Sequence, residues 1–171
     1  ENILLLNLPS RFNSAATRNS AQQLAQALGA NYAVMPISES YELTVKQLEE
    51  TPITHLADGS SFNLQLSGLI KENIQARDRG ARVIAAASAA FSCNSNKAEL
   101  AIGYATFYGD ICGAMAMIGD LWKHQVYALG RYLNEVIYKR EVIPEAIFNI
   151  RPSAELSDEQ TVGNGGDPLV Y

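Results

Sequence analysis

The first 50 residues form four successive segments that alternate between two hydrophobic patterns. Residues 3–8 are almost continuously apolar, a pattern typical of a strand buried on both faces of a parallel sheet. The segment that ends at Gly29 places apolar side chains at i, i+3, i+4 and i+7, which predicts a helix with a glycine stop. A second apolar run at residues 32–37 and a second helical stripe that breaks before Pro52 complete the order β-α-β-α.

The hydrophobic pattern in the middle of the chain predicts the longest helix of the protein. The amphipathic pattern begins near Asn63 and continues through the alanine-rich residues 85–90. The short apolar segment at residues 91–93 is interpreted as a buried strand, because the polar residues 94–97 that follow it are typical of a functional loop.

Two further helices are predicted in the last third of the sequence. One spans residues 98–106, and the other begins after Asp120, which is placed as its N-cap. The tail from Arg151, with the glycine-rich residues 163–168, is predicted to be loop.

Alternating strands and helices predict an α/β fold, a parallel, doubly wound sheet sandwiched by helices. The chain of 171 residues, 47% of them hydrophobic, has the length of one domain with an ordinary core. Ligands of such sheets bind beyond the carboxyl ends of the strands. The loops at residues 9–14 and 94–97 are therefore the expected site.

Composition narrows the class of protein. Thirteen Lys and Arg against 18 Asp and Glu give a net charge of −5, which argues against a nucleic-acid-binding face. No apolar run reaches the ~18–20 residues of a membrane span. Cys93 and Cys112 lack metal or redox spacing and are interpreted as small buried hydrophobes in a reducing compartment. We expect a cytoplasmic protein with neither nucleic-acid nor membrane partners.

Three groups of polar residues are candidates for ligand binding. Asn73 and Arg77 are four residues apart on one helix face, where an amide and a guanidinium suit carbonyl and phosphate oxygens; a solvated helix face is the alternative. Glu99 follows the polar loop and could hold a ribose hydroxyl or Mg²⁺, or could simply complete a helix N-terminus. Lys123 lies in a first helical turn, which disfavours a cation unless a phosphate binds there; a solvent-facing lysine is the alternative.

Six motifs together resemble NAD synthetases in order and approximate spacing. They are LPSRF at residues 8–12, ENIQAR at 72–77, NKAEL at 96–100, GYATFYGD at 103–110, DLWK at 120–123 and PSAEL at 152–156. The similarity covers nearly the whole chain and is strongest to the synthetase half of the glutamine-dependent kind.

The resemblance implies an adenine-nucleotide hydrolase-like fold and ATP-dependent, Mg²⁺-dependent amidation of deamido-NAD to NAD through an adenylated intermediate. Ammonia would derive from glutamine in a glutaminase domain, and we expect a homodimer or larger homo-oligomer. The implied ATP-binding residues are Arg11, Asn94, Lys123 and Ser153. The implied deamido-NAD-binding residues are Asn73, Arg77, Glu99 and Tyr104, with Glu99 also a metal ligand.

The sequence departs from the family pattern at two points. Asn94 stands where the family usually has threonine, five residues before the motif glutamate. The Ser-Gly-Gly-x-Asp-Ser pyrophosphate loop is not in residues 1–171. We therefore expect a partial synthetase domain with part of a site, and no NAD formation by the isolated chain. A non-catalytic nucleotide-binding or dimerisation module is the alternative.

Overall fold

Two pairs of parallel strands organise the molecule in a computed structural model that describes residues 3–87 and 90–160. Strand β1 (Leu4–Asn7) pairs with β2 (Asn31–Val34), and the later pair is β5 (Ser92–Cys93) with β6 (Met115–Ala116). Between them the chain forms an antiparallel hairpin of β3 (Ile53–Thr54) and β4 (Ser61–Phe62), which the sequence pattern did not predict.

The helices alternate with these strands as the hydrophobic pattern predicted, which confirms the α/β class. They are α1 (Ala15–Leu28), α2 (Ser38–Glu50), α3 (Gly68–Ala86), α4 (Lys97–Ile102), α5 (Lys123–Tyr132) and α6 (Glu145–Asn149). A π-helical turn at Leu133–Ile137 extends α5, and a 3₁₀ turn covers Asp158–Gln160. The predicted loop at residues 163–168 lies outside the described residues.

Helix α1 confirms the glycine-stop prediction and shows why the helix begins where it does. The Ser14 hydroxyl accepts a hydrogen bond from the Thr17 N–H at 3.1 Å, which satisfies a free donor of the first turn. At the other end Gly29 adopts a φ of 64°, a left-handed conformation that glycine reaches without a steric penalty.

Four predicted helix boundaries were wrong. Helix α3 ends at Ala86 and does not continue through the alanine-rich residues 85–90, because Ala87 adopts an extended conformation with a ψ of 110°. Helix α3 begins at Gly68, not near Asn63, since the Ser67 hydroxyl accepts from the Ile70 N–H at 3.4 Å. Helix α4 stops at Ile102, short of residue 106, because the next residue is a glycine with a φ of 71°.

The N-cap predicted for α5 was the fourth error. Asp120 is exposed and precedes the helix, and Trp122 occupies the cap position. The Trp122 N–H donates to the Gln125 side-chain oxygen at 2.9 Å, and the Trp122 side chain caps none of the N–H groups of the first turn. Lys123 is nevertheless in the first turn, as expected.

Strand β1 is less buried than its apolar sequence predicted. Leu4 is 50% exposed, and the next two residues are half-buried. Within the described chain the strands form three separate two-stranded sheets, so β1 pairs with a neighbour along one edge. Leu6 and Asn7 line the cavity described below, so part of the strand faces open space.

The contact between α3 and the loop after α4 requires glycine at position 80. A Cβ at Gly80 would lie 2.5 Å from the Tyr108 carbonyl oxygen, too close without backbone movement. We expect Gly80→Ala to reduce the free energy of unfolding by about 1–3 kcal/mol, the usual cost of overpacking. Thermal unfolding checks this, with Gly68→Ala as the control, because a Cβ there meets nothing within 4 Å. Equal melting temperatures for the two variants would contradict the prediction.

Candidate active site

A cavity of about 500 Å³ lies beyond the carboxyl ends of β1 and β5. Asn13 comes from the loop after β1, and Asn94 and Ser95 come from the loop after β5. The fold class predicted a site at these two loops, and residues of both loops line the cavity. Its polar lining consists of Asn7, Asn13, Arg79, Ser92, Asn94, Ser95, Glu99, Tyr104, Asp110, Lys123 and Ser153.

Five of the eight predicted site residues line this one cavity although they are spread over 60 residues of sequence. They are Asn94, Glu99, Tyr104, Lys123 and Ser153. An amide, a carboxylate, a phenol, an ammonium and a hydroxyl together suit a ligand that carries both anionic and neutral polar groups.

The other three predicted residues do not line it. Arg11 is exposed, and its guanidinium lies 3.8 Å from the Glu42 carboxylate. Arg77 is exposed on α3, as the solvated-face alternative predicted. The Asn73 side-chain oxygen accepts from the Thr106 hydroxyl at 2.6 Å, so Asn73 contacts the loop that leads to the cavity residue Asp110.

Glu99 is both part of a helix N-terminus and part of the cavity lining. One carboxylate oxygen accepts from the Asn96 N–H at 2.7 Å, while the Asn96 side chain accepts from the Ala98 N–H at 2.8 Å. These bonds form a capping box that fixes the start of α4. Because Glu99 also lines the cavity, the cap holds the carboxylate in place there.

Lys123 and Ser153 stand at the junction of two cavities. Both also line a second cavity of about 320 Å³, which is bordered by α1 and by residues 150–155. The half-buried Lys123 is the first residue of α5, where N–H groups without helical partners and a cation face the same space. Such an arrangement suits an extended anion.

Sequence reasoning missed Arg79, the guanidinium that does line the main cavity. Its Nε donates to the Leu8 carbonyl at 2.9 Å, and Nη2 donates to the Asn13 side-chain oxygen at 3.3 Å. Burial lowers the pKa of Arg79, and the charges of Asp78 and Glu155 oppose that shift. One sequence pattern could have identified Arg79 as the cavity residue. The packed face of α3 is marked by the helical spacing of Ala76, Arg79, Gly80 and Val83, and Arg77 lies outside that face.

The turn at Gly109–Asp110 was also missed. Asp110 lines the cavity, and its Oδ1 accepts from the Thr106 N–H at 2.6 Å. The thiols of Cys93 and Cys112 donate to the carbonyls of Asp110 and Gly109 at 3.4 and 2.7 Å. Both cysteines are free; Cys93 is buried as predicted, whereas Cys112 is half-buried at the cavity, and burial raises the pKa of its thiol.

Neither a metal cluster nor a membrane span occurs in the part of the chain that the structure describes. No three of its His, Cys, Asp and Glu side chains group closely enough to hold a metal ion by themselves. None of its helices is long and apolar enough to cross a membrane.

Parallel strand pairs, intervening helices and a polar cavity beyond the strand ends define an α/β domain with a ligand site at the carboxyl edge of its strands. The more specific assignment comes from comparison with known proteins. A family model described as NAD synthase matches residues 1–164, and the chain belongs to that family.

Three relatives illustrate the similarity. The chain is 34% identical to a glutamine-dependent NAD(+) synthetase from Xanthomonas campestris pv. campestris (strain 8004), covering 94% of this chain and 28% of that protein. It is 38% identical to the corresponding protein from Aquifex aeolicus (strain VF5), covering 94% and 27%. A solved structure of an NMN synthetase from Francisella tularensis superposes with a TM-score of 0.75 at 27% identity, covering 92% and 58%. The chain therefore spans little more than a quarter of the length of these glutamine-dependent relatives.

Proposed function

We propose that this chain is part of the synthetase domain of an enzyme that amidates deamido-NAD to NAD with ATP. The observation that carries the proposal is the common cavity of Asn94, Glu99, Tyr104, Lys123 and Ser153. Family membership over residues 1–164 is the second support. The assigned roles are ATP binding for Asn94, Lys123 and Ser153, and dinucleotide binding for Glu99 and Tyr104.

The chemistry proceeds in two balanced steps. A carboxylate oxygen of the nicotinate attacks the α-phosphorus of ATP, and pyrophosphate leaves with the electron pair of the broken P–O bond. Lys123 neutralises charge that accumulates on the departing phosphates, and Ser153 donates a hydrogen bond to them. Ammonia then attacks the acyl carbon of the adenylate; AMP leaves, and the nitrogen loses a proton as the amide forms.

The carboxylates of the cavity fit a magnesium ion bound together with phosphates. Glu99 uses one oxygen in the capping box, and Asp110 uses Oδ1 in its turn, so each retains a second oxygen. Mg²⁺ in such sites is held by one or two carboxylates, with phosphate and water completing its shell. When bound, Mg²⁺ neutralises negative charge on the leaving pyrophosphate. We assign Glu99 as the protein ligand.

The roles proposed for three further residues rest on the family motifs more than on geometry. Arg11 remains proposed for ATP, and Asn73 and Arg77 for deamido-NAD, on the family motifs that contain them. Asn73 has the best geometric support of the three, because its contact with Thr106 fixes the loop that carries Asp110. The exposure of Arg11 and Arg77 means that a bound ligand would have to extend out of the cavity to meet them.

We further propose that glutamine supplies the ammonia, that the protein works in the cytoplasm and that it assembles as a homo-oligomer. The glutamine-dependent relatives support the first statement. Large apolar side chains on α5 and the following turn support the last, since Leu129, Val136 and Ile137 are each at least 40% exposed.

A direct assay tests the reaction. The complete gene product is incubated with ATP, Mg²⁺, ammonium and deamido-NAD, and NAD and AMP are quantified together. We expect one AMP per NAD. The same assay with nicotinate mononucleotide tests the alternative suggested by the NMN synthetase likeness. Amidation of the mononucleotide alone would correct the substrate, and ATP binding without any amidation would favour a non-catalytic module.

A further inference from the structure

Glu155 is a buried carboxylate in a strained turn that no part of the proposed mechanism uses. The residue is 3% exposed, and its φ of 49° lies in the left-handed region that a non-glycine residue rarely adopts. A backbone of this kind is strained and persists only where surrounding contacts hold it. Such residues concentrate at functional sites.

Three hydrogen bonds hold the Glu155 carboxylate, and all come from the segment around the start of α1. One oxygen accepts from the Asn13 side-chain amide at 3.0 Å. The other accepts from the Ser14 N–H at 3.2 Å and from the Thr17 hydroxyl at 3.1 Å. The carboxylate also lies at the positive end of the α1 dipole, which favours its charge.

The same network reaches the main cavity through Asn13. The Asn13 side-chain oxygen accepts from Arg79 Nη2 at 3.3 Å and from the Ser10 N–H at 2.8 Å. Glu155 therefore connects the loop after β1 to residues 152–156, two segments separated by about 140 residues of sequence. Both of these segments border the cavity.

Ser153, two residues before Glu155, stands where the two cavities meet. We propose that Glu155 is a positioning residue, which acts by holding the strained turn so that Ser153 faces Lys123 across the phosphate-binding space. This inference rests on the proposed function. Glu155 also lines the second cavity, and its positioning role follows from its hydrogen bonds, which fix the backbone that presents the Ser153 hydroxyl.

A purely structural role would make Glu155 only the cap of α1. The two readings differ in what they predict for other changes at the same helix end. Ser14→Ala removes the N-cap bond to the Thr17 N–H and the 2.9 Å contact with the Thr17 hydroxyl, but it keeps all three hydrogen-bond donors of the Glu155 carboxylate and every residue that lines either cavity. Its expected effect is a lower melting temperature, because a helix cap is lost. It is therefore the matched control for loss of stability at this end of α1.

The test is a double-mutant cycle on Glu155 and Ser153, measured as kcat/KM for ATP in the complete gene product. Glu155→Gln should lower kcat/KM about 10- to 100-fold, the scale of a small misplacement at a reacting group. In the Ser153→Ala background the same change should lower it less than about twofold, because the residue through which Glu155 acts is gone. Ser14→Ala should stay within about twofold of wild type while it melts earlier.

Two results would overturn the inference: an equal loss in both Ser153 backgrounds, or an equal loss in Ser14→Ala. If Glu155→Gln does not fold, Glu155→Asp keeps the charge and enters the same cycle with the same expectations. The activity of the wild type distinguishes a failure of the proposed function from a failure of this inference. Absence of NAD formation by the wild type would refute the proposed function and this inference with it, whereas normal wild-type activity with additive variants would refute this inference alone.

Discussion

Lys123→Ala should reduce the rate of NAD formation about 100- to 1000-fold while the protein keeps its fold. Lys123 lines both cavities at the point where Ser153 also reaches them. An ammonium there contributes a charge-assisted hydrogen bond to a phosphate that gains charge as pyrophosphate departs. Removing one such donor from a site that stabilises developing charge has this magnitude of effect.

Lys123→Ala should raise the stability of the protein slightly or leave it unchanged. As the first residue of α5, Lys123 places a cation at the positive end of the helix dipole, an unfavourable contact of about 0.3–1 kcal/mol. For a domain of this length, 1 kcal/mol corresponds to about 2–4 °C in Tm. We therefore expect a Tm within a few degrees of wild type, as for a residue retained for function against its local preference.

The measurements are the ammonia-dependent rate at saturating ATP and thermal unfolding, both on the complete gene product. Lys71→Ala is the control: it removes a lysine that pairs with Glu49 at 2.9 Å on α3 and lines neither cavity. Its rate should equal that of wild type. A rate for Lys123→Ala within about threefold of wild type, roughly 0.65 kcal/mol of barrier, would remove Lys123 from the site.

The location of the site could be predicted from the sequence because it depends on fold class alone. Residues that follow buried strands of a parallel sheet converge at one edge, so the loops after β1 and β5 were accessible to pattern reasoning. The resemblance then named five residues that do line one cavity. Neither step required knowledge of distances between side chains.

The rest depended on tertiary contacts that have no local signal. Arg77 and Arg79 both belong to a charged stretch of α3, and only the packed face of that helix shows which guanidinium enters the cavity. Glu155 belongs to the PSAEL motif, but nothing in the neighbouring sequence indicates its contacts, since its three hydrogen-bond donors lie about 140 positions earlier. The hairpin at residues 53–62 was missed because its strands are only two residues long and exposed.

Glu99→Gln should reduce the rate of NAD formation by at least about 100-fold and barely change the Tm. The substitution removes one negative charge and preserves the shape of the side chain. A glutamine oxygen can still accept from the Asn96 N–H, because glutamine serves as well as glutamate at this position of a capping box. What it cannot replace is the anionic oxygen proposed to bind Mg²⁺, a hard cation that prefers carboxylates.

Glu39→Gln provides the control for helix electrostatics in this test. Glu39 is an exposed acidic residue in the first turn of α2 and lines neither cavity. Its loss should lower the free energy of unfolding by a few tenths of a kcal/mol without affecting the rate. The rate of each variant is measured across a range of Mg²⁺ concentrations at saturating ATP. Glu99→Gln should require more Mg²⁺ to reach half of its own maximal rate, whereas Glu39→Gln should follow wild type. If Glu99→Gln instead melted many degrees earlier and retained a normal rate and Mg²⁺ dependence, Glu99 would be a helix cap and nothing more, because a metal ligand cannot lose its charge without changing the response to the metal.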